Sequence, residues 1–336
     1  MTPKKPAQRR SKASPGTIMQ RFEAALQPGV PPDEAACLIA ELEPKLPDAA
    51  IQMMDDHLAS VDPLVKVALI DAYYRMTECT FHRGDLEALK EAARAGAARG
   101  DAASEDVFAA ATIAYARQAG APEDTWVRRG FEITGVRAPR PRPRRKGLAA
   151  DAQLESITIM IHGTWATHGR WWRRGGDFFE YVRKDLGLAD LYGAADQFRW
   201  SGDNLDSSRA RAARELHGWL SSHRAASVRV FAHSHGANIA ALATHKGTRI
   251  DKFVMLSPPV RKDYLPDWSN VGQAYNIQAC FDAVVAIARG GQWFKDVMRA
   301  RRVTEHRLKS SGHSASHSPA VWKKERLARI VGLPWD

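Results

Sequence analysis

The residues with the clearest chemistry are a serine between two histidines and, later in the chain, an aspartate and a further histidine. The serine is Ser234, in the run Ala232-His233-Ser234-His235-Gly236, and Asp282 and His313 follow it. A serine hydroxyl is inert at neutral pH unless a neighbouring base takes its proton. A histidine oriented by an aspartate is such a base. The set therefore predicts covalent catalysis, in which Ser234 attacks a carbonyl group.

The stretch around Ser234 predicts how that serine is held. Residues 228–231 are rich in β-branched and aromatic side chains, as a buried strand is, and residues 239–243 continue as a helix. A sharp strand-to-helix turn at a catalytic serine needs small residues two positions before and two positions after it. Ala232 and Gly236 meet that requirement. The sequence therefore predicts a nucleophile elbow at Ser234.

Other residues compete for the roles of base and acid. His317 lies four residues after His313 and is the alternative base. The Gly-His doublet and the spacing to Pro319, which begins the last predicted helix, favour His313. The alternatives to Asp282 follow the preceding strand in a proline-rich stretch, at Asp263 and Asp267.

Strand-like and helix-like runs alternate around these residues. Helices are predicted at 177–186, 207–222 and 318–331. Besides the strand before Ser234, strands are predicted at residues 156–161, 197–202, 253–257, 275–280 and 303–308. Strands separated by helices predict an α/β fold with a mostly parallel sheet, in which ligands bind at the carboxyl ends of the strands. Ser234, Asp282 and His313 each fall just after a predicted strand.

Several short motifs occur in a fixed order with these strands between them. They are Ile161-His162-Gly163, residues 232–236, Leu256-Ser257-Pro258-Pro259, residues 281–285 and Gly312-His313-Ser314. On these motifs, residues 155–333 resemble the α/β-hydrolase superfamily, in particular its esterase- and lipase-like serine hydrolases. The resemblance implies a mostly parallel sheet flanked by helices. It also implies that Ser234 is the nucleophile, His313 the base and Asp282 the residue that orients the base.

The same resemblance implies two backbone donors for the oxyanion of the reaction. One is the residue after the nucleophile, His235, and the other is Thr164 in the loop after the first strand, with Trp165 as the alternative. That loop is also rich in tryptophan, and two interpretations are open for these side chains. They pack the loop against the sheet, or they form a wall that accepts an acyl chain. The candidate substrate-binding residues are Trp165, Trp171 and Trp172.

The histidines beside Ser234 also suggest a metal site. His233 and His235, with His162 or His317, are possible nitrogen ligands. No aspartate or third histidine follows at the spacing of a metallohydrolase, so the sequence predicts no metal and no cofactor.

The excess positive charge of the chain comes from two segments. The net charge is +11, and residues 1–16 and 137–146 together carry eleven basic residues and no acidic one. The sequence predicts a disordered basic tail at 1–16, a separate all-α helical domain at 17–136, a Pro/Arg-rich linker at 137–152 and the hydrolase domain at 153–336. The basic segments or the helical domain are candidates for binding an anionic membrane surface or a protein partner. Nucleic acid is not a predicted partner.

Composition limits the class of protein. The chain has 336 residues, of which 44% are hydrophobic and 26% are charged, as in ordinary globular proteins. No apolar run has the length of a membrane span, and no apolar segment follows the basic N-terminus as in a secretory signal. The three cysteines are scattered, which favours reduced thiols and a cytoplasmic location.

The functional prediction is a serine hydrolase that cleaves a carboxylic ester, with a small molecule or lipid as substrate. Two alternatives stay open. Acyl transfer to an alcohol instead of water would use the same three residues. A non-enzymatic interaction protein would instead bind its partner through the helical domain and use the hydrolase fold as a scaffold.

Overall fold

A computed structural model describes residues 14–99, 101–118, 154–164, 166, 169–202, 206–288, 291–294 and 303–335. Nearly all of the predicted basic tail and the whole predicted linker lie outside these residues, so the prediction of separate domains joined by a linker stays a prediction. Among the described residues, no helix is long and apolar enough to cross a membrane.

The N-terminal part of the chain is helical, as predicted. Its helices begin where capping residues and prolines favour them: Ser14 and Asp62 accept hydrogen bonds from first-turn N–H groups, and a proline follows each. The helices are α1 (Pro15–Ala25), α2 (Pro32–Leu42), α3 (Ala50–His57), α4 (Pro63–Thr77), α5 (Arg83–Arg99) and α6 (Ala102–Gln118).

The second part contains a five-stranded sheet in which every strand pair is parallel. This confirms the predicted α/β class. The strands lie side by side in chain order: β1 (Ser156–Ile161), β2 (Ser227–His233), β3 (Ile250–Leu256), β4 (Val271–Gln278) and β5 (Val303–Arg307). One prediction is wrong, because residues 197–202 form no strand. Instead, Leu191 makes an isolated parallel bridge to Thr158 of β1.

Further helices connect and follow the strands. They are α7 (Asp177–Glu180), which continues as a π-helical turn (Tyr181–Asp185), α8 (Asp206–His223), α9 (His235–Thr244), α10 (Ala283–Ile287), α11 (Pro319–Glu325) and α12 (Leu327–Ile330). The predicted helix at 318–331 is divided, because Arg326 adopts a left-handed conformation with φ of 55°. A 3-10 turn (His313–His317) precedes α11.

In β1 to β4, alternate side chains enter different apolar clusters. Val230 and Phe253 pack with α8 and α9, whereas their neighbours Phe231 and Val254 pack with Trp322 of α11. Because successive strand residues point to opposite faces, both faces of the sheet are buried. The apolar, β-branched composition of these strands follows from that two-sided burial.

The N-terminal helices pack against the sheet part through α10. Ala283 and Ile287 of α10 belong to the same apolar cluster as the cores of α2, α4 and α6. Arg75 of α4 and Arg117 of α6 donate hydrogen bonds to the carbonyl oxygen of Ile287, at 3.3 and 2.9 Å. The helices therefore contact the element that directly follows Asp282.

Candidate active site

The candidate site lies beyond the carboxyl ends of β1 and β2. Strand β1 pairs with β2 along one edge and, through Thr158, with Leu191 on its other edge. The chain therefore passes from one side of β1 to the other between Leu191 and β2. In open parallel sheets, ligands bind at the carboxyl ends of the strands at such a position.

Ser234 occupies a strained turn between β2 and α9. Its φ and ψ are 52° and −131°, a conformation that side-chain-bearing residues rarely adopt. The backbone N–H of Ser234 donates a hydrogen bond of 2.8 Å to the carbonyl oxygen of Leu256, which holds the turn against β3. Strain of this kind persists only where the surrounding structure enforces it, and it is concentrated at functional sites.

Two glycines allow the backbone of β1 to approach this turn. A Cβ atom on Gly236 would lie 2.5 Å from the carbonyl oxygen of His162, and one on Gly163 would lie 2.7 Å from Cβ of Ser234. Both distances are shorter than real Cβ contacts. The predicted need for a small residue at Gly236 therefore has a specific origin, the loop after β1.

We expect Gly236→Ala to lower the free energy of unfolding by about 1–3 kcal/mol, because the β1 backbone would have to move. Urea unfolding measures this. Gly218→Ala is the matched control, since a Cβ there meets nothing within 4 Å. Gly218 lies inside α8, where alanine is favoured over glycine by about 1 kcal/mol, so the control should be neutral or stabilising. Equal losses at the two positions would contradict the close approach at Gly236.

Asp282 and His313 form a buried pair. Oδ2 of Asp282 lies 2.9 Å from Nδ1 of His313, and Asp282 has no exposed surface. Oδ1 of the same carboxylate accepts a 3.0 Å hydrogen bond from the backbone N–H of Val285, and so caps α10. Both carboxylate oxygens are therefore fixed. Since an ionised carboxylate only accepts, His313 carries its proton on Nδ1, and Nε2 is left to act as a base.

The acidic residues around His313 raise its pKa. Burial alone would lower the pKa of His313, but the charge and hydrogen bond of the adjacent Asp282 carboxylate, with smaller contributions from the charges of Asp106 and Glu105, outweigh burial and raise that pKa above 6.5. This environment makes the imidazole of His313 more basic than an isolated one.

The histidines on either side of Ser234 have separate partners. Nε2 of His233 donates to the carbonyl oxygen of His313 at 3.2 Å, and Nδ1 of His235 lies 2.7 Å from Oγ1 of Thr164. Burial lowers the pKa of both imidazoles well below 6.5, so both are neutral at neutral pH. Among the residues that the structure describes, no three His, Cys, Asp or Glu side chains are grouped to hold a metal ion.

The candidate oxyanion residues lie on the two elements that meet at Ser234. His235 is the first residue of α9, so its backbone N–H has no acceptor within the helix. Thr164 belongs to the loop after β1 and contacts His235 through its hydroxyl. The alternative residue, Trp165, lies outside the described residues. Thr164 and His235 are thus neighbours beside the turn at Ser234.

The alternative base and two of the candidate substrate-binding tryptophans are packed into the core. His317 stacks on Trp171 with ring centroids 4.3 Å apart, and burial lowers the pKa of His317 to about 3. Trp172 has no exposed surface, and its indole N–H donates to the carbonyl oxygen of Ala166 at 2.9 Å. Trp172 therefore packs the loop against the sheet and offers no open wall, and Trp171 is only 7% exposed.

The alternative acids lie in other environments. Asp263 is exposed. Asp267 caps a short 3-10 turn (Trp268–Asn270) by accepting from the backbone N–H of Ser269 at 3.0 Å. Among the described residues, His313 is hydrogen-bonded to Asp282. No described contact joins it to Asp263 or Asp267.

Sequence reasoning missed a group of acidic residues on the N-terminal helices. Oδ2 of Asp106 accepts a hydrogen bond of 3.0 Å from the backbone N–H of His313, and Glu105 accepts one of 3.3 Å from the hydroxyl of Ser314. A signal was present in α6, because Asp106, Ala110 and Ala114 share one buried stripe at four-residue spacing. An acidic residue in such a stripe indicates a specific partner.

Comparison with known proteins assigns no family. No protein-family model matches the chain, and no curated protein matches it. Among solved structures, the chain is similar to a crystal structure of an uncharacterized protein from Bacillus cereus ATCC 10987. The two chains share 16% sequence identity with a TM-score of 0.36, over 94% of this chain and 97% of that chain. A similarity this low carries no functional argument.

Proposed function

We propose that the protein is a serine hydrolase of the α/β-hydrolase type, which cleaves carboxylic esters through an acyl-enzyme on Ser234. The observation that carries the proposal is the buried pair of Asp282 and His313, 2.9 Å from Oδ2 to Nδ1, taken together with the strained turn at Ser234. The carbonyl oxygen of His313 bonds to His233, the residue before the nucleophile, which ties the base to the elbow.

In the proposed reaction, Oγ of Ser234 attacks the ester carbonyl and its proton passes to Nε2 of His313. Collapse of the tetrahedral intermediate breaks the bond to the alcohol, which leaves with that proton. A water molecule then attacks the acyl group, again with His313 as the base, and the acid is released. Asp282 keeps the imidazole in the required tautomer and stabilises its positive form.

The oxyanion of the intermediate is assigned to backbone N–H groups of His235 and Thr164. The N-terminus of α9 is the place where an unpaired N–H group and the helix dipole both favour negative charge. Thr164 lies beside it, with its hydroxyl 2.7 Å from the His235 ring.

A screen of p-nitrophenyl esters of increasing acyl length tests the proposal. We expect a burst of nitrophenol that approaches one equivalent per chain when deacylation is slower than acylation, followed by steady turnover. The preferred acyl length would define the substrate class. Absence of hydrolysis of every ester by well-folded protein would contradict an esterase function.

The pH dependence of hydrolysis should report His313. The base acts in its neutral form, so kcat/KM should rise with pH as His313 loses its proton. Because Asp282 raises the pKa of His313, the midpoint of that rise is expected above 6.5. His317 and His233 would produce a midpoint well below 6.5, since burial lowers the pKa of each. A midpoint near 3 would therefore contradict the assignment of His313.

A further inference from the structure

The segment that carries His313 is held from two directions. We call residues 309–314 the His313 loop. From the sheet part, Glu325 of α11 accepts from the backbone N–H of Lys309 at 3.0 Å, and the N–H of Gly312 donates to the carbonyl oxygen of Phe281 at 2.9 Å. From the helical part, α6 supplies the acceptor for the N–H of His313 itself. The helices therefore contact the loop at its functional residue.

The contact between α6 and the loop is close and buried. Asp106 is 7% exposed and His313 is 8% exposed, and Oδ2 of Asp106 is 3.0 Å from the His313 nitrogen. A Cβ on Gly312 would lie only 3.2 Å from the same oxygen, and Gly312 has a φ of 91°. A glycine before His313 therefore lets the loop approach the carboxyl group.

The hydrogen bond from the His313 N–H to Asp106 fixes the backbone that carries the imidazole. The side chain of His313 is bound to Asp282, and its carbonyl oxygen accepts from His233. The remaining polar group of its backbone, the N–H, is bound by Asp106. If that acceptor is removed, a buried N–H loses its partner and the loop can rearrange to reach water. A displacement of about 1 Å at a catalytic group can cost about 10²-fold in rate.

We propose that Asp106 is a positioning residue for the candidate base, so that the helical part of the chain completes the active site of the sheet part. The inference rests on the proposed hydrolase function. Asp106 acts through the backbone of His313 and does not touch the reacting atoms. Glu105 supports the same loop through the hydroxyl of Ser314, 3.3 Å away.

The acceptor oxygen of Asp106 indicates which substitute can replace it. Burial raises the pKa of Asp106 to about 8; the charge of His313 opposes this rise, and the carboxylates of Asp282 and Asp33 add to it. In either protonation state the side chain has an oxygen that can accept from the His313 N–H. Asparagine offers the same acceptor at the same position, whereas leucine has a similar size and no acceptor.

The test compares Asp106→Asn with Asp106→Leu in the full chain, with hydrolysis of the best p-nitrophenyl ester as the readout. We expect the asparagine variant to retain kcat within about threefold and the leucine variant to lose about 10²-fold, mainly in kcat. Should the leucine variant not fold, Asp106→Ala removes the same acceptor without filling the space, and the same loss is expected. Rescue by asparagine separates positioning from charge.

Asp101→Ala is the matched control on the same helix. Asp101 is exposed and caps α6 by accepting from the backbone N–H of Ser104 at 2.9 Å, so its loss weakens the helix without touching the His313 loop. Equal losses in the Asp101→Ala and Asp106→Leu variants would overturn the inference, because helix stability would then explain both. If the wild type is active and the Asp106→Leu variant is equally active, the inference about Asp106 is overturned and the proposed hydrolase function is not. An inactive wild type would overturn the proposed function as well.

Discussion

Replacing Ser234 by alanine is expected to remove ester hydrolysis, with a fall in kcat of about 10⁵- to 10⁶-fold. In the proposed mechanism the hydroxyl oxygen of Ser234 forms the acyl-enzyme, and neither His313 nor the proposed oxyanion donors can replace it. Ser234 is 7% exposed and its backbone is held by Leu256, so the change removes one oxygen and leaves the fold intact. Steady-state kinetics, with circular dichroism to check folding, measure the effect.

Ser257 offers a closely matched comparison for that variant. It lies at the end of the next strand, is fully buried and also has a positive φ, of 46°. Its hydroxyl donates to Oγ of Ser316 at 3.0 Å, so it stabilises a neighbouring turn. Ser257→Ala should therefore cost less than about tenfold in kcat, since a single neutral hydrogen bond contributes about 1 kcal/mol. Equal losses at Ser234 and Ser257 would contradict a nucleophilic role for Ser234.

Asp282→Asn is expected to lower kcat by about 10⁴-fold, because the amide no longer enforces the tautomer or stabilises the protonated imidazole. Asparagine caps helices as well as aspartate does, so the hydrogen bond to Val285 and the stability of α10 should be retained. Loss of the carboxylate also removes the largest of the charge effects that raise the pKa of His313. The acid limb of kcat/KM should therefore move to lower pH.

Asp263→Asn is the control for that experiment. Asp263 is one of the two alternative acids by sequence position, with Asp267, and it is exposed. We expect the hydrolysis rate and the pH profile of the Asp263→Asn variant to match those of the wild type. A loss at Asp263 comparable to that at Asp282, or an unchanged pH profile in the Asp282 variant, would contradict the assigned pair.

The sheet part was predictable because its local patterns agree with its tertiary packing. Strand β1 is β-branched on both faces since both faces are buried, and the small residue at Gly236 follows from the backbone of β1. The prediction of a strand at residues 197–202 is wrong for a physical reason. Phe198 and Trp200 alternate like strand residues, but they pack into the apolar cluster that contains the buried face of α8. There the indole N–H of Trp200 donates to the carbonyl oxygen of His162 at 2.8 Å.

The contacts between the helical part and the candidate site could not be predicted from local patterns. The contact between Asp106 and His313 joins residues 207 positions apart, and no periodicity within α6 specifies what lies opposite its buried acid. The break of the last helix is similar, because Arg326 adopts a positive φ with no glycine at that position to signal it. Packing interactions distant in sequence decide both features.

The most direct test of the account is to treat the full chain with a fluorophosphonate probe and to measure its intact mass. We predict one covalent adduct per chain, mapped to the peptide that contains Ser234, and no adduct in the Ser234→Ala variant. Labelling should slow in the Asp282→Asn variant, since the proposed base for Ser234 is then impaired. Folded wild-type protein that gains no adduct, or an adduct that persists in the Ser234→Ala variant, would contradict the assignment of Ser234 as the nucleophile.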